Sequence, residues 1–151
     1  MSETETPGPQ RTAEETAAAM RAADRATRAA GVDVVEVGPG RAVATMTVAD
    51  EHANGHGVCH GGYLFLLADA AMAYASNSHG TSALATGADI AFLRPARTGD
   101  VLRAEAVERS LAGRSGLYDV TVRTGDGAAV AEFRGRTRQV PGLAAPPPAG
   151  G

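Results

Sequence analysis

The chain has 151 residues and a net charge of −3 at pH 7, with acids and bases interspersed along it. That length suits one domain with a sizeable core, and without a basic stripe nucleic acid is not an expected partner. Its single cysteine, Cys59, excludes an intrachain disulfide framework.

Residues 1–10 are polar, with Pro and Gly, and read as a disordered N-terminus with no signal peptide. Thr12-Ala13-Glu14-Glu15 has capping-box spacing, so an Ala/Arg-rich helix is predicted from there to about Arg28 or Ala30, stopped by Gly31. Two strands follow, Val32 to Val37 and Arg41 to Val48, joined by Gly38-Pro39-Gly40. The second is nearly apolar on both faces, which suggests cover on both sides or a subunit contact.

From Tyr63 to Ala75 every residue except Asp69 is apolar or small. This predicts a helix that is hydrophobic on all sides and therefore buried. Strands are then predicted at Gly87 to Phe92, Val101 to Ser110, Leu117 to Arg123 and Ala128 to Gln139. Asp126-Gly127 marks a hairpin between the last two. The Ala/Pro/Gly tail, residues 141–151, reads as disordered. Helices and strands do not alternate one for one, which argues against a doubly wound parallel sheet. The fold class is α+β: an antiparallel sheet around one long central helix, with an N-terminal helix, in a single domain over residues 11–140. The central apolar run, broken by Asp69, falls short of the ~20 residues that span a bilayer. The expectation is a cytoplasmic protein with no membrane partner.

A lone carboxylate in an apolar helix is costly unless it is paired or has chemical work to do. Asp69 is therefore the first candidate catalytic residue, as a general base or as a nucleophile in acyl transfer. Gly61 stands at the predicted helix start. There backbone N–H groups lack partners and the dipole is positive, so a carbonyl oxygen would be polarised. The competing account of Gly61-Gly62 is a tight turn into a closely packed helix. Eight residues separate Gly61 from Asp69, about 12 Å along a helix at ~1.5 Å per residue. One chain does not readily bring both groups to one carbonyl across that distance, and a dimer is the natural solution.

The run HGVCHGGYLFLLADAAMAYASNSHG resembles the signature of the hotdog-fold acyl-CoA thioesterases, and more narrowly the PaaI-type phenylacetyl-CoA thioesterases. The carriers are Asn54-Gly55-His56, His60-Gly61-Gly62, Asp69, Phe92-Leu93-Arg94-Pro95 and Gly116 to Val120, within a similarity from Gly31 to Val140. The resemblance implies a catalytic carboxylate at Asp69 and a site shared between subunits. It also implies an assembly of two dimers, acyl-CoA as the substrate and no cofactor. In that family an amide matching Asn54 orients the thioester or water; the plain alternative is an Asn-Gly turn. His60 either donates a hydrogen bond near the thioester or braces the loop. Gly62 and Thr86 are placed at the substrate, Thr86 with a hydroxyl near the attacking water. CoA phosphates call for cations, with Arg94, Arg97 and Arg114 as candidates; the last and the first are preferred.

His52, His56 and His60 recur every four residues beside Cys59, but Gly55 and Gly57 disfavour a helix there and the spacing matches no common zinc pattern. No metal is expected. Two other readings stand beside hydrolysis: a non-catalytic acyl-CoA-binding module, and a hotdog dehydratase. The absence of a His shortly after Asp69 disfavours the dehydratase.

Overall fold

The computed structural model describes residues 5–147; residues 1–4 and 148–151, parts of the two terminal segments read as disordered, lie outside them. The chain begins with helix α1 (Pro9–Ala23) and a short helix α2 (Arg25–Ala29). Strands β1 (Asp33–Gly38) and β2 (Arg41–Thr47) lead to a 3-10 turn (Asp50–His52) and the central helix α3 (Gly61–Asn77). Four strands complete the domain: β3 (Ala83–Phe92), β4 (Val101–Ala112), β5 (Ser115–Arg123) and β6 (Ala129–Gln139).

All neighbouring strands are antiparallel and form one six-stranded sheet in the order β1-β2-β4-β5-β6-β3. Every strand meets α3, so the sheet wraps the helix. Side chains alternate along the strands. Leu102, Ala104 and Ala106 of β4 and Tyr118, Val120 and Val122 of β5 turn inward and are buried. The inner face of β2 supplies Ala42, Ala44 and Met46. Small residues on that face let the helix lie close. Gly135 of β6 also leaves room for it: an added Cβ there would collide with the Met72 side chain of α3.

Three predicted details change. Helix α1 starts at Pro9, so Pro9 and Gln10 of the segment read as disordered are helical. Its N-cap is Gly8, and the Thr12 capping box is not used. Pro at the first turn costs nothing, because its missing N–H would have had no helical partner. The N-terminal helix also breaks at Asp24, whose Oδ1 accepts the Thr27 N–H and caps α2. Its Oδ2 accepts the Tyr74 hydroxyl from α3. Finally, β3 begins at Ala83 rather than Gly87. A bulge at Thr86 separates the pairs Ala85 with Thr137 and Gly87 with Arg136, which breaks the alternation on which a strand is recognised.

The nearly apolar β2 has a local explanation. Val43, fully buried, pairs with Glu36 on one side and Glu105 on the other, and Arg41 reaches both carboxylates. These long side chains roof it.

Candidate active site

The site is built where a clamped loop delivers the chain into α3. Asn54 Oδ1 accepts the N–H groups of His56 and Val58, at 2.9 and 3.3 Å, and Gly57 closes the turn at φ +74°. The Cys59 N–H donates to Ala96 O and the His60 N–H to His52 O, both at 2.7 Å. Underneath lies the buried His52 ring. Its Nδ1 accepts the Ala49 N–H, its Nε2 meets Ala30 O at 2.8 Å, and its edge packs on Tyr63. Both nitrogens are engaged, so His52 is a structural post rather than a metal ligand. Asn54 does what an ordinary turn residue does with its oxygen, and its amide nitrogen meets no acceptor among the described residues.

Helix α3 starts at Gly61, with His60 as N-cap in extended conformation. His60 Nδ1 accepts the Gly62 N–H at 3.0 Å. The Gly61 N–H meets no acceptor among the described residues. Of the first N–H groups of the helix, it is the one left to take an oxygen from outside, at the positive end of the dipole. Gly61 borders an open cavity of about 390 Å³ with Val58, Cys59, Leu64, Phe92 and Arg94. The Phe92 ring lies over it: a Cβ on Gly61 would be 2.9 Å from Phe92 Cζ. A further cleft of about 450 Å³, between α1, the turn after α3 and Ala145-Pro146, holds none of the predicted site residues.

Asp69 lies two turns along α3, on the face the sheet leaves uncovered, with Gly62, Phe65, Leu66 and Ala73. It is half-buried and has no hydrogen-bond or ion-pair partner among the described residues. Burial pushes its carboxyl above the usual aspartate range. An unpaired carboxylate with raised proton affinity in apolar surroundings is suited to act as a base.

The other predicted residues divide by place. His60, Gly61, Gly62 and Arg94 gather at the N-terminus of α3. Thr86 sits on the bulge of β3, its hydroxyl donating to Arg136 O at 3.2 Å. α3 and β3 run in opposite directions, with Gly61 beside Phe92 at one end and Asn77 bonded to Ala83 at the other. Thr86 is therefore nearer the level of Asp69 than that of Gly61. Arg114 is in the β4–β5 turn, beside Gln139 at the end of the sheet away from Gly61. The chain alone does not bring it to the others. Phe92 lines this cavity although the sequence marks it only as part of a motif; a bulky apolar side chain at the end of a strand, just before Leu-Arg-Pro, is its one signal.

The thioesterase superfamily profile matches residues 56–131, from the loop before α3 into β6. The chain belongs to the thioesterase superfamily. Over 124 residues it is 44% identical to the acyl-coenzyme A thioesterase PaaI of Escherichia coli K12, covering 82% of this chain and 89% of that protein. The solved structure of the E. coli PaaI protein, from the phenylacetic acid degradation operon, matches with a TM-score of 0.86 at 41% identity, over 88% and 96% of the two chains. The phenylacetic acid degradation protein PaaI of Thermus thermophilus, solved as a point mutant, matches with a TM-score of 0.75 at 38% identity, over 78% of this chain and 100% of that one. A Streptococcus mutans protein, smu.793, solved bound to acetyl CoA, matches with a TM-score of 0.71 at 27% identity, over 73% and 89%. The fold is the hotdog fold, and the protein is a thioesterase.

Proposed function

We propose that this thioesterase hydrolyses phenylacetyl-CoA or a ring-hydroxylated phenylacetyl-CoA, in a site made by two subunits. The Gly61 N–H of one subunit polarises the thioester carbonyl, and Asp69 of the partner subunit drives the attack. The observation that carries this reading is the unpaired Asp69 carboxylate on the uncovered face of α3, two turns from the free Gly61 N–H.

Both groups lie on one helix, so about 12 Å separates their backbones. A thioester has to touch both within ~3 Å. A second copy of α3, running antiparallel across the uncovered face, meets that need twice over. The exposed apolar side chains Phe65 and Leu84, on α3 and the free edge strand β3, are what such a contact would bury. The pairing of two such dimers into a tetramer belongs to the same reading.

In the reaction Asp69 takes a proton from water, and the new C–O bond forms as the carbonyl oxygen gains charge at the Gly61 N–H. The C–S bond then breaks, the CoA sulfur takes the proton, and the carboxylic acid leaves. If Asp69 attacks directly, an anhydride replaces the first step and water resolves it. Thr86, at the level of Asp69, positions the water; the free Asn54 amide nitrogen and His60 hold the carbonyl end. Arg94 at the cavity mouth, and Arg114 from the far end of the sheet, meet the CoA phosphates. The substrate class rests on the likeness to the two PaaI proteins.

The test is thiol release from phenylacetyl-CoA, 3,4-dihydroxyphenylacetyl-CoA, a medium-chain acyl-CoA and 4-hydroxybenzoyl-CoA. A strong preference for the phenylacetyl pair is expected. Equal turnover of all four would keep the thioesterase and remove the phenylacetyl assignment.

A further inference from the structure

We infer that Phe92 is a specificity-determining residue, an aromatic wall that selects arylacetyl over aliphatic acyl groups; this rests on the site proposed above. The chain has three phenylalanines. Phe133 is buried, whereas Phe92 is 55% exposed, the most exposed large apolar side chain of the described residues. An aromatic ring held in water forfeits burial that is worth roughly 25 cal/mol per Å². Here the ring is placed against Gly61, at the start of α3. Three of its carbons, Cζ, Cε1 and Cε2, lie 2.9, 3.2 and 3.3 Å from where a Gly61 Cβ would be. Only glycine allows that approach.

The backbone that carries the ring is also held in place. Phe92 ends β3, paired with Ala131, and the next two N–H groups, of Leu93 and Arg94, both donate to Val130 O. A carbonyl oxygen bound by the Gly61 N–H must set one of its two substituents, the acyl carbon or the sulfur, beside this ring. Arg94 is the one charged residue of the cavity lining and suits the phosphate-bearing CoA, while Val58, Leu64 and Phe92 of the same lining are apolar. In this proposal the acyl group is the substituent that meets the Phe92 ring. An aryl ring there gains an edge-to-face or offset contact worth ~0.5–1.5 kcal/mol beyond simple area burial, and an alkyl chain gains area only.

The experiment compares kcat/KM for phenylacetyl-CoA and hexanoyl-CoA in the parent, Phe92→Leu and Phe92→Tyr. The half-exposed position makes Phe92→Leu a mild change for folding, and a melting curve checks it. In Phe92→Leu the phenylacetyl-to-hexanoyl ratio should fall ~2–12-fold, mostly through KM, since ground state and transition state share the contact. Phe92→Tyr, which keeps the ring, should keep the ratio. An unchanged ratio in Phe92→Leu, with both substrates slowed equally or not at all, overturns the inference while leaving the thioesterase site standing. A parent enzyme that releases thiol from no acyl-CoA overturns the site itself, and Phe92's role with it.

Discussion

His60 Nδ1 accepts the N–H of Gly62, two residues on, and this one bond settles which backbone donor of α3 is free. With Gly62 occupied, the Gly61 N–H alone points outward. An imidazole here does the work of a Ser or Asp cap. His60→Ala should therefore cost about 1 kcal/mol, the usual worth of a cap, and lower Tm by a few degrees. It should also lower kcat/KM, because Gly62 then competes with Gly61 for the oxygen. His60→Asn, which restores an acceptor, should recover most of the Tm. A Tm unmoved in His60→Ala would show that the cap is not a stabilising one.

Asp69 links activity and stability to pH with opposite signs. Burial holds its carboxyl above the usual range, so the folded chain keeps a proton that the unfolded chain has already released. Stability then falls as pH rises from the ordinary aspartate value through the raised one. Asp69→Asn removes that fall, and its advantage over the parent in urea melts should grow across the same window. Its kcat should drop ~10²–10⁴-fold, the scale of a lost general base. A parent-like rate in Asp69→Asn would remove the base from this residue.

Sharing a site between subunits has an arithmetic consequence. Gly61→Val and Asp69→Asn, each inactive alone, are mixed, unfolded and refolded together. Half the dimers are then mixed, and each has one intact site, so activity should return to about a quarter of the parent's. No recovery, with mixed dimers confirmed by mass spectrometry, would place both groups in one chain.

Gly135→Ala tests how closely the helix fits its sheet. The new methyl would collide with the Met72 side chain and come within 2.9 Å of Phe133 Cε1. Overpacking of this kind costs ~1–3 kcal/mol. A chemical-denaturation midpoint should shift down with an unchanged slope; no shift would mean that Met72 has an open alternative.

Long, regular features were legible in the sequence. The apolar stretch around Asp69 indicated α3 because a run apolar on every side, and too short to span a bilayer, has to be wrapped by the rest of the chain. Asp126-Gly127 marked its hairpin. Asp69 stood out for a physical reason, as a charge where a charge is costly. What escaped detection depends on contacts distant in sequence. Thr86 hid the start of β3 because a bulge shifts the inward and outward sides. Asp24 breaks the first helix partly because it reaches Tyr74, fifty residues on. Phe92 over Gly61 joins a strand end to a helix start 31 positions earlier, which no local pattern records. In the sequence His60 is a hydrogen-bond donor near the thioester or a brace for the loop, and only the angle at which the chain enters α3 identifies it as a cap.

Because Gly61 and Asp69 are fixed to the same rod, the two sites of a two-fold pair are not independent. Sliding one helix along the other by a single residue would displace each glycine from the opposite carboxylate by the same amount, at both sites together. Catalytic competence in such a pair is therefore a property of the helix-to-helix register. Substitutions of side chains that take no part in the reaction, on the uncovered face around Phe65 and Leu66, should act like a master alignment screw and tune both centres at once.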